Sequence, residues 1–160
     1  MNEFAIRPAG AGDEAVIVSL LRELADYENL LDKFVVDEEV IARDYLSADP
    51  ACFCELAYVG AEPAGIATWY RNYSSFAALR GIYIEDLFVR PAWRGRGIGK
   101  GLLVHLAKMA RAEGACRMDW KVLDWNTPSI EFYVAFGAHK VEHWLDYRLE
   151  GLALDKLAQQ

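Results

Sequence analysis

The sequence has little of what secreted, membrane and metal-binding proteins require. Only three of its 160 residues are cysteine, too few for a disulfide framework. No stretch approaches the ~20 consecutive apolar residues of a membrane-spanning helix, and Met1-Asn2-Glu3 lacks the basic start of a secretory leader. The histidines, His105, His139 and His143, do not stand at the spacing of metal ligands. We therefore expect a cytoplasmic protein with buried, reduced thiols, no metal and no membrane partner.

Positive charge is also scarce. The chain has 17 Lys and Arg against 24 Asp and Glu, a formal net charge of −7, which argues against nonspecific nucleic-acid binding. Against that background, Arg90, Arg94, Arg96 and Lys100 are crowded into one short stretch that contains no acidic residue. In an acidic chain, such a concentration of positive charge favours a phosphorylated ligand.

The same stretch lies between a predicted strand and a predicted helix. Ile82 to Val89 is rich in β-branched and aromatic residues, which is typical of a strand, and Pro91 ends it. Gly95, Gly97 and Gly99 follow, and apolar residues then recur at helical spacing. A glycine-rich turn at a helix N-terminus lets an anion approach the backbone closely and offers it N–H groups.

Two well-known phosphate loops do not fit this turn. A P-loop requires a glycine where Arg94 stands and a Ser or Thr where Gly101 stands. A dinucleotide fingerprint requires a glycine at Lys100 or at Leu102. What remains is the pattern Arg94-x-x-Gly97-x-Gly99, for which a flexible helix start is the alternative explanation.

Apolar periodicity and turn residues divide the chain into short elements, with Asp13, Asp37 and Thr127 as helix caps. The order predicts an α/β fold, a single domain over residues 1–160 with a central mixed, mostly antiparallel sheet flanked by helices. The predicted strands are 4–7, 53–59, 64–73, 82–89, 118–123 and 143–149, and the predicted helices are 13–27, one from Asp37 to the Asp49-Pro50 turn, one after Gly99, 129–135 and a weak one over 152–157.

Several motifs in this order resemble those of the GNAT superfamily of acyl-CoA-dependent N-acetyltransferases. Within it, the chain is most similar to the diamine acetyltransferases, which include the spermidine/spermine and thialysine enzymes. The resemblance covers almost the whole chain and implies the same fold. The matching pieces are Phe4-x-Ile6-Arg7-Pro8-Ala9, Glu23-Leu24-Ala25-x-Tyr27-Glu28, Ile84-Glu85-Asp86-x-Phe88-Val89, Arg94-Gly95-x-Gly97-Ile98-Gly99, Trp125-Asn126-x-Pro128-Ser129-Ile130-x-Phe132-Tyr133 and Gly137-Ala138.

The resemblance implies acetyl-CoA as the cosubstrate. The glycine turn would hold the pyrophosphate, the preceding strand would pair with the pantetheine arm as an added strand does, and Asn126 would hydrogen-bond the cofactor rather than serve only as a turn residue. It also implies a homodimer, for which the apolar segment Trp144 to Leu157 offers surface. The implied cofactor-binding residues are Leu87, Phe88, Val89, Arg94, Gly95, Arg96, Gly97, Ile98, Gly99, Lys100, Asn126, Pro128 and Ser129.

Acetyl transfer to an amine requires that an ammonium lose a proton and that a thiolate gain one. Tyr133 is the candidate donor to the thiolate, since a phenol with a pKa of about 10 is protonated at pH 7; ordinary packing of Phe132-Tyr133 is the alternative. Glu85 and Asp86 are adjacent and point to opposite faces of a strand unless a bulge intervenes. Either could pair with Arg71 or Arg80, but the resemblance implies that Glu85 draws the proton from the amine, a role we do not extend to Asp86.

The amine itself is expected near two segments that line the substrate site in the resembling family. The first is Tyr27-Glu28, which could equally be a solvated helix end. The second is Asp119-Trp120-Lys121, where the positive charge of Lys121 would oppose a polyamine and suit a substrate that also carries a carboxylate. The predicted acceptor is therefore a diamine-like or thialysine-like amine. Another acceptor, such as an amino acid, an antibiotic or a protein N-terminus, and a noncatalytic acyl-CoA-binding module are the alternatives.

Overall fold

The computed structural model of the chain describes residues 4–160, so the expectation drawn from Met1 to Glu3 lies outside it. By its internal contacts the chain divides into two compact units, Met1–Lys121 and Val122–Gln160. Among the described residues, no helix has the length and apolar character needed to cross a membrane.

The first unit is built on a five-stranded sheet in which the spatial order of strands follows the chain, β1-β2-β3-β4-β5. The first four strands form an antiparallel meander, and β5 lies parallel to β4. Two parallel neighbouring strands require a crossover connection. Here the connection between β4 and β5 contains the helix that follows the glycine turn. The predicted mixed, mostly antiparallel sheet is thus confirmed; its strands are β1 Ala5–Pro8, β2 Phe53–Val59, β3 Glu62–Ser74, β4 Leu79–Val89 and β5 Met118–Trp120.

Three helices flank this sheet, α1 Glu14–Tyr27, α2 Glu38–Asp44 and α3 Ile98–Ala112. Side chains of α1 and α2 form one apolar core with Cys54 and Leu56 of β2. Glu55, between those two residues, reaches α3 instead. Because successive side chains of a strand point to opposite faces, α3 and the α1–α2 pair cover opposite faces of the sheet.

A β-bulge interrupts the pairing of β3 with β4. Thr68 lies opposite Asp86, but the next residue of β3, Trp69, lies opposite Ile84. Glu85 therefore has no partner across the ladder, and the simple alternation of faces does not apply to Glu85 and Asp86. This is the exception that the sequence argument left open.

The second unit contains α4 Thr127–Val134 and α5 Gly151–Ala158. The helix cap expected at Thr127 was wrong by one residue: the side chain of Asn126 accepts the hydrogen bond from the N–H of Ser129, so Asn126 caps α4.

The strand expected at 143–149 was also wrong, since these residues lie outside any helix or strand. Trp144, Leu145 and Tyr147 are exposed to 77%, 79% and 91%. Their pattern favours an extended strand, but a strand also needs a neighbour to complete its ladder. The chain by itself provides none for this segment among its described residues.

Candidate active site

The turn before α3 has the backbone shape that only glycine adopts easily. Gly95 and Gly97 have φ angles of 73° and 81°, and Gly97 is the N-cap of α3. A Cβ atom at either position would meet no heavy atom within 4 Å. These glycines are therefore needed for the backbone conformation rather than for packing. The open space beside them and the helix N-terminus behind them fit an anionic group.

Two of the basic side chains at this turn are oriented by aromatic rings. The guanidinium of Arg94 lies 4.9 Å from the ring centroid of Tyr27, and its Nε donates to the carbonyl of Val89 at 2.9 Å. The guanidinium of Arg96 lies 4.8 Å from the ring centroid of Trp93. Stacked guanidinium groups keep their outer N–H donors available to a phosphate.

Arg90 does not belong with them, which corrects the sequence argument. Its Nη2 and Nε bind the carboxylate of Glu23 at 2.7 and 3.0 Å, and its Nη1 donates to the carbonyl of Pro63 at 2.7 Å. An arginine held this way locks β4 to α1, and its charge is already balanced. The basic residues that remain candidates for the cofactor at this turn are Arg94, Arg96 and Lys100.

The strand that leads into the turn leaves one edge uncovered by β5. The paired register of β5 ends at Trp120, opposite Ile84, whereas β4 continues to Val89. On its other side, the segment from Asp86 to Val89 pairs with β3. Leu87, Phe88 and Val89 thus lie where an extended ligand could add as a further strand, as predicted for the pantetheine arm.

Asp86 sits at the bulge, half-buried, and accepts a hydrogen bond of 2.5 Å from the hydroxyl of Thr68. Burial raises its pKa above the ordinary range, the Thr68 bond partly opposes this, and the charge of Glu85 adds to the rise. Arg71, one of the cations considered as its partner, pairs instead with Glu113. Within residues 4–160, Asp86 forms no ion pair.

The charge of Asp86 also affects several neighbouring groups. Burial, followed by the charge of Asp86, raises the pKa of Glu28, which is half-buried at the end of α1. Burial, Asp86 and, more weakly, Glu85 raise the pKa of the Cys52 thiol to about 11. Burial also raises the pKa of Tyr45, with further contributions from Cys52 and Asp86. These electrostatic contributions and the Thr68–Asp86 hydrogen bond define one group of residues, which we call the acidic recess: Glu28, Tyr45, Cys52, Thr68, Glu85 and Asp86.

Aromatic rings border the acidic recess on the sheet. Tyr70 and Tyr83, which are paired across β3 and β4, stack with their centroids 5.0 Å apart. Burial and then the charge of Glu85 raise the pKa of Tyr70. Carboxylates combined with tyrosine rings are a suitable lining for an organic cation.

The three residues predicted to bind substrate at the end of the sheet differ in burial and in hydrogen bonding. Asp119 lies opposite Tyr83, and its Oδ2 accepts hydrogen bonds from Arg117 at 2.7 Å and from Asn72 at 3.0 Å. Its charge is therefore already paired within the sheet. Trp120 is half-buried, and Lys121 is exposed at the end of the first unit.

The remaining predicted residues lie together at the start of the second unit. Asn126 is buried and caps α4, and Pro128 and Ser129 are in its first turn. Tyr133, near the end of the same helix, packs its ring edge against Phe132 with centroids 5.3 Å apart. The catalytic role of Tyr133 stays a prediction.

Reasoning from sequence missed four members of the acidic recess: Tyr45, Cys52, Thr68 and Asp86. Asp86 was set aside because a regular strand would direct it away from Glu85, and no residue pattern marks the bulge. Cys52 and Cys54 were interpreted correctly as unbridged thiols, whereas Cys116 is exposed rather than buried. Within residues 4–160, no group of His, Cys, Asp and Glu is arranged to hold a metal ion.

Comparison with known proteins gives this site a chemical context. The Acetyltransferase (GNAT) family matches residues 18–138. The chain is 35% identical over 164 residues to the thialysine N-epsilon-acetyltransferase of Bos taurus, with 96% of each chain covered. It is 44% identical over 94 residues to an L-ornithine N5-acetyltransferase of Arabidopsis thaliana, covering 59% of this chain and 41% of that one.

Among solved structures, an integron cassette protein from the mobile metagenome of V. cholerae has a TM-score of 0.85 and 27% identity. The match covers 100% of this chain and 99% of that one. The fold, the glycine turn and the similarity to full-length relatives agree. The chain belongs to the GNAT family and is an acetyl-CoA-dependent amine N-acetyltransferase.

Proposed function

We propose that this enzyme acetylates the terminal amine of a small diamino compound, with diamino acids such as thialysine or ornithine as preferred acceptors. The names of the relatives support this class of substrate. We further propose that it acts as a homodimer in the cytoplasm.

The observation that carries the proposal is the shortage of positive charge in the acidic recess. The pKa values of Glu28 and Asp86 are both raised, by burial and by the neighbouring carboxylates. A cation that enters the surroundings of a carboxylate with a raised pKa lowers the free energy of its ionised form. Binding of the cation is favourable for this reason. A substrate that attacks through one amine and carries a second ammonium would supply that cation.

Glu85 is assigned to the attacking amine. It is exposed at the bulge, yet its charge contributes to the raised pKa values of Cys52, Tyr70 and Asp86. A carboxylate at the mouth of the acidic recess can accept the proton that the ammonium must lose, directly or through water. Glu28 and Asp86, which lie deeper, are assigned to the second ammonium.

Acetyl-CoA, when bound, supplies an activated acetyl thioester. The glycine turn, with Arg94, Arg96 and Lys100, would bind its diphosphate, and the uncovered edge of β4 would bind its arm. Tyr133, whose phenol O–H is a possible proton donor, is assigned to protonate the thiolate sulfur. Asn126, by capping α4, fixes the helix that carries Tyr133.

Lys121 is the basis for preferring an amino acid over a simple diamine. It directly follows Trp120, the last residue of β5, and β5 pairs with β4, which carries Glu85 and Asp86. A cation there would attract an α-carboxylate and repel a polyamine. Asp119, whose charge is paired with Arg117, is given a supporting rather than a substrate-binding role in this proposal.

The homodimer is supported by apolar surface in the second unit. Trp144, Leu145 and Tyr147 in the extended segment are exposed, and so are Leu152, Leu154 and Leu157 of α5. Large apolar side chains exposed together usually mark an interaction surface. A second copy of the chain could complete the ladder that the 143–149 segment lacks.

Three acceptors that differ by one group each test the substrate class. L-Ornithine, 1,4-diaminobutane and 1-aminobutane share the attacking amine; the second lacks the carboxylate of the first, and the third also lacks the second ammonium. Thiol release with acetyl-CoA should give kcat/KM values in that descending order. Each charge-assisted contact contributes about 1.5–3 kcal/mol, so each step should cost roughly 10- to 100-fold.

Two variants test which residue recognises each charged group of the acceptor. Glu28→Gln should reduce the difference between 1,4-diaminobutane and 1-aminobutane, and Lys121→Gln should reduce the difference between ornithine and 1,4-diaminobutane. Equal activity of the wild-type enzyme with 1,4-diaminobutane and 1-aminobutane would contradict the proposed recognition of a second ammonium.

A further inference from the structure

A buried carboxylate on the opposite face of the sheet has no part in the chemistry described above. Glu55 of β2 is only 3% exposed. Its Oε1 accepts a hydrogen bond from the indole N–H of Trp69 at 3.4 Å, and its Oε2 lies 3.1 Å from Nε2 of His105 on α3. A carboxylate is costly to bury unless both oxygens are hydrogen-bonded. These two partners therefore make Glu55 compatible with its position.

Trp69 is tied to α3 by a second route as well. The guanidinium of Arg71 lies 5.0 Å from the Trp69 ring centroid, and its Nε donates at 2.8 Å to Glu113, which caps the C-terminal end of α3. The indole also stacks on Phe53 with centroids 4.5 Å apart. The ring is thus fixed against α3 at the middle of the helix through Glu55 and at its end through Arg71.

The position of Trp69 matters because it is the residue at which the register shifts. Trp69 lies opposite Ile84, and the preceding residue, Thr68, lies opposite Asp86 and donates to its carboxylate. A displacement of the Trp69 backbone would move Thr68 with it. The direction of Asp86 and the exposure of the unopposed Glu85 both depend on that register.

We propose that Glu55 is a positioning residue for acetyl transfer. By fixing the indole of Trp69 against α3, it holds the β3–β4 bulge in the register that presents Glu85 and Asp86 to the amine. Because α3 begins at the glycine turn, the same contact keeps the acidic recess and the cofactor turn at a constant separation. The inference rests on the roles proposed above for Glu85 and Asp86.

The test compares Glu55→Leu, Trp69→Phe and the double variant with a matched control. Glu55→Leu removes both acceptors at similar side-chain volume, and Trp69→Phe removes the indole donor. The control is Asp13→Asn. Asp13 is also a buried carboxylate, at 8% exposure, and is held by Arg7 at 2.7 and 2.8 Å, but it lies at the start of α1. Melting temperature, acetyl-CoA affinity and kcat for 1,4-diaminobutane are measured on folded protein.

All variants should lose thermal stability, but only those at Glu55 and Trp69 should lose turnover. A misplacement of reacting groups by about 1 Å can cost roughly 10²-fold, so we expect kcat of Glu55→Leu to fall by about 10- to 100-fold. Acetyl-CoA affinity should stay near the wild-type value in every variant. The kcat of Asp13→Asn should also stay near the wild-type value. In the double variant, the losses in kcat should be far from additive, since both changes act on one contact.

A folded Glu55→Leu enzyme with wild-type kcat would overturn the inference, as would a loss of kcat equal to that of Asp13→Asn or additive losses in the double variant. If Glu55→Leu does not fold, Trp69→Phe decides alone, and wild-type kcat in that variant refutes the proposal. Failure of the proposed function would be recognised separately, because the wild-type enzyme would then acetylate 1,4-diaminobutane and 1-aminobutane equally well.

Discussion

Replacing Gly97 by valine should separate the stability of the glycine turn from its ability to bind acetyl-CoA. Gly97 has a φ of 81° and a Cβ there would meet no neighbouring atom. The cost of the substitution to folding therefore comes from backbone strain alone, about 1–2 kcal/mol for a left-handed residue. For a protein of this size, that corresponds to a loss of about 2–8 °C in melting temperature.

The other end of α3 provides the matched control. Gly114 follows the helix C-terminus with a φ of 71° and, like Gly97, has open space around a built Cβ. Gly114→Val should therefore cost about the same 1–2 kcal/mol of folding free energy. It lies at the opposite end of the helix from the turn, so acetyl-CoA affinity should stay at the wild-type value.

Binding should differ sharply between the two variants. A valine side chain at Gly97 would occupy the space from which the pyrophosphate approaches the backbone N–H groups. One or more charge-assisted hydrogen bonds, each contributing about 1.5–3 kcal/mol, would be lost, so Kd should rise by roughly 10- to 100-fold or more. Calorimetric titration with acetyl-CoA measures this directly. Equal affinities of the two variants would refute the assignment of the turn to the cofactor.

Three further outcomes follow from named contacts. In a Cys116→Ser background, Asp86→Asn should lower the pKa of Cys52 from about 11 toward its ordinary 9.0, because a negatively charged neighbour is removed. The pH dependence of thiol alkylation measures this pKa. An unchanged pKa would contradict the proximity of Asp86 to Cys52. The Arg7 guanidinium lowers the pKa of Asp13, so this pair should stabilise the fold above the ordinary pKa of 3.8 and lose that effect as pH falls through the lowered value; acid unfolding of Asp13→Asn should lack this component. Sedimentation of the wild-type protein should give a dimer that Tyr147→Arg weakens, and a wild-type monomer at micromolar concentration would exclude the proposed assembly.

Local patterns were sufficient to predict most of the fold. The span Phe53–Val59 was predicted with the bounds that the structure has, because β-branched and aromatic residues between turn signals leave few alternatives. Asp37 was predicted as a helix cap, and its carboxylate does accept from the N–H of Val40 at 2.9 Å. In both cases the deciding interactions are formed by residues close together in the chain.

What the sequence could not indicate depends on contacts between distant segments. The bulge that brings Asp86 into the acidic recess is a mismatch between two strands, and neither strand shows it alone. The ion pair between Arg90 and Glu23, which removes Arg90 from the set of cations at the glycine turn, joins residues far apart in the chain. The 143–149 segment has the residues of a strand but no ladder partner among residues 4–160, and residue preference does not reveal whether a partner is present.

The central claim concerns two proton transfers, and the pH dependence of kcat in two variants tests it most directly. Tyr133→Phe removes one oxygen and should reduce kcat by roughly 10²–10⁴ across the pH range, since the missing proton belongs to the sulfur. Glu85→Gln keeps the shape of the side chain but removes the charge that assists deprotonation of the amine. Its deficit should shrink as pH rises toward the pKa of the amine, because more of the amine is then already neutral. Wild-type turnover in Tyr133→Phe, or a parallel recovery of both variants at high pH, would contradict the account.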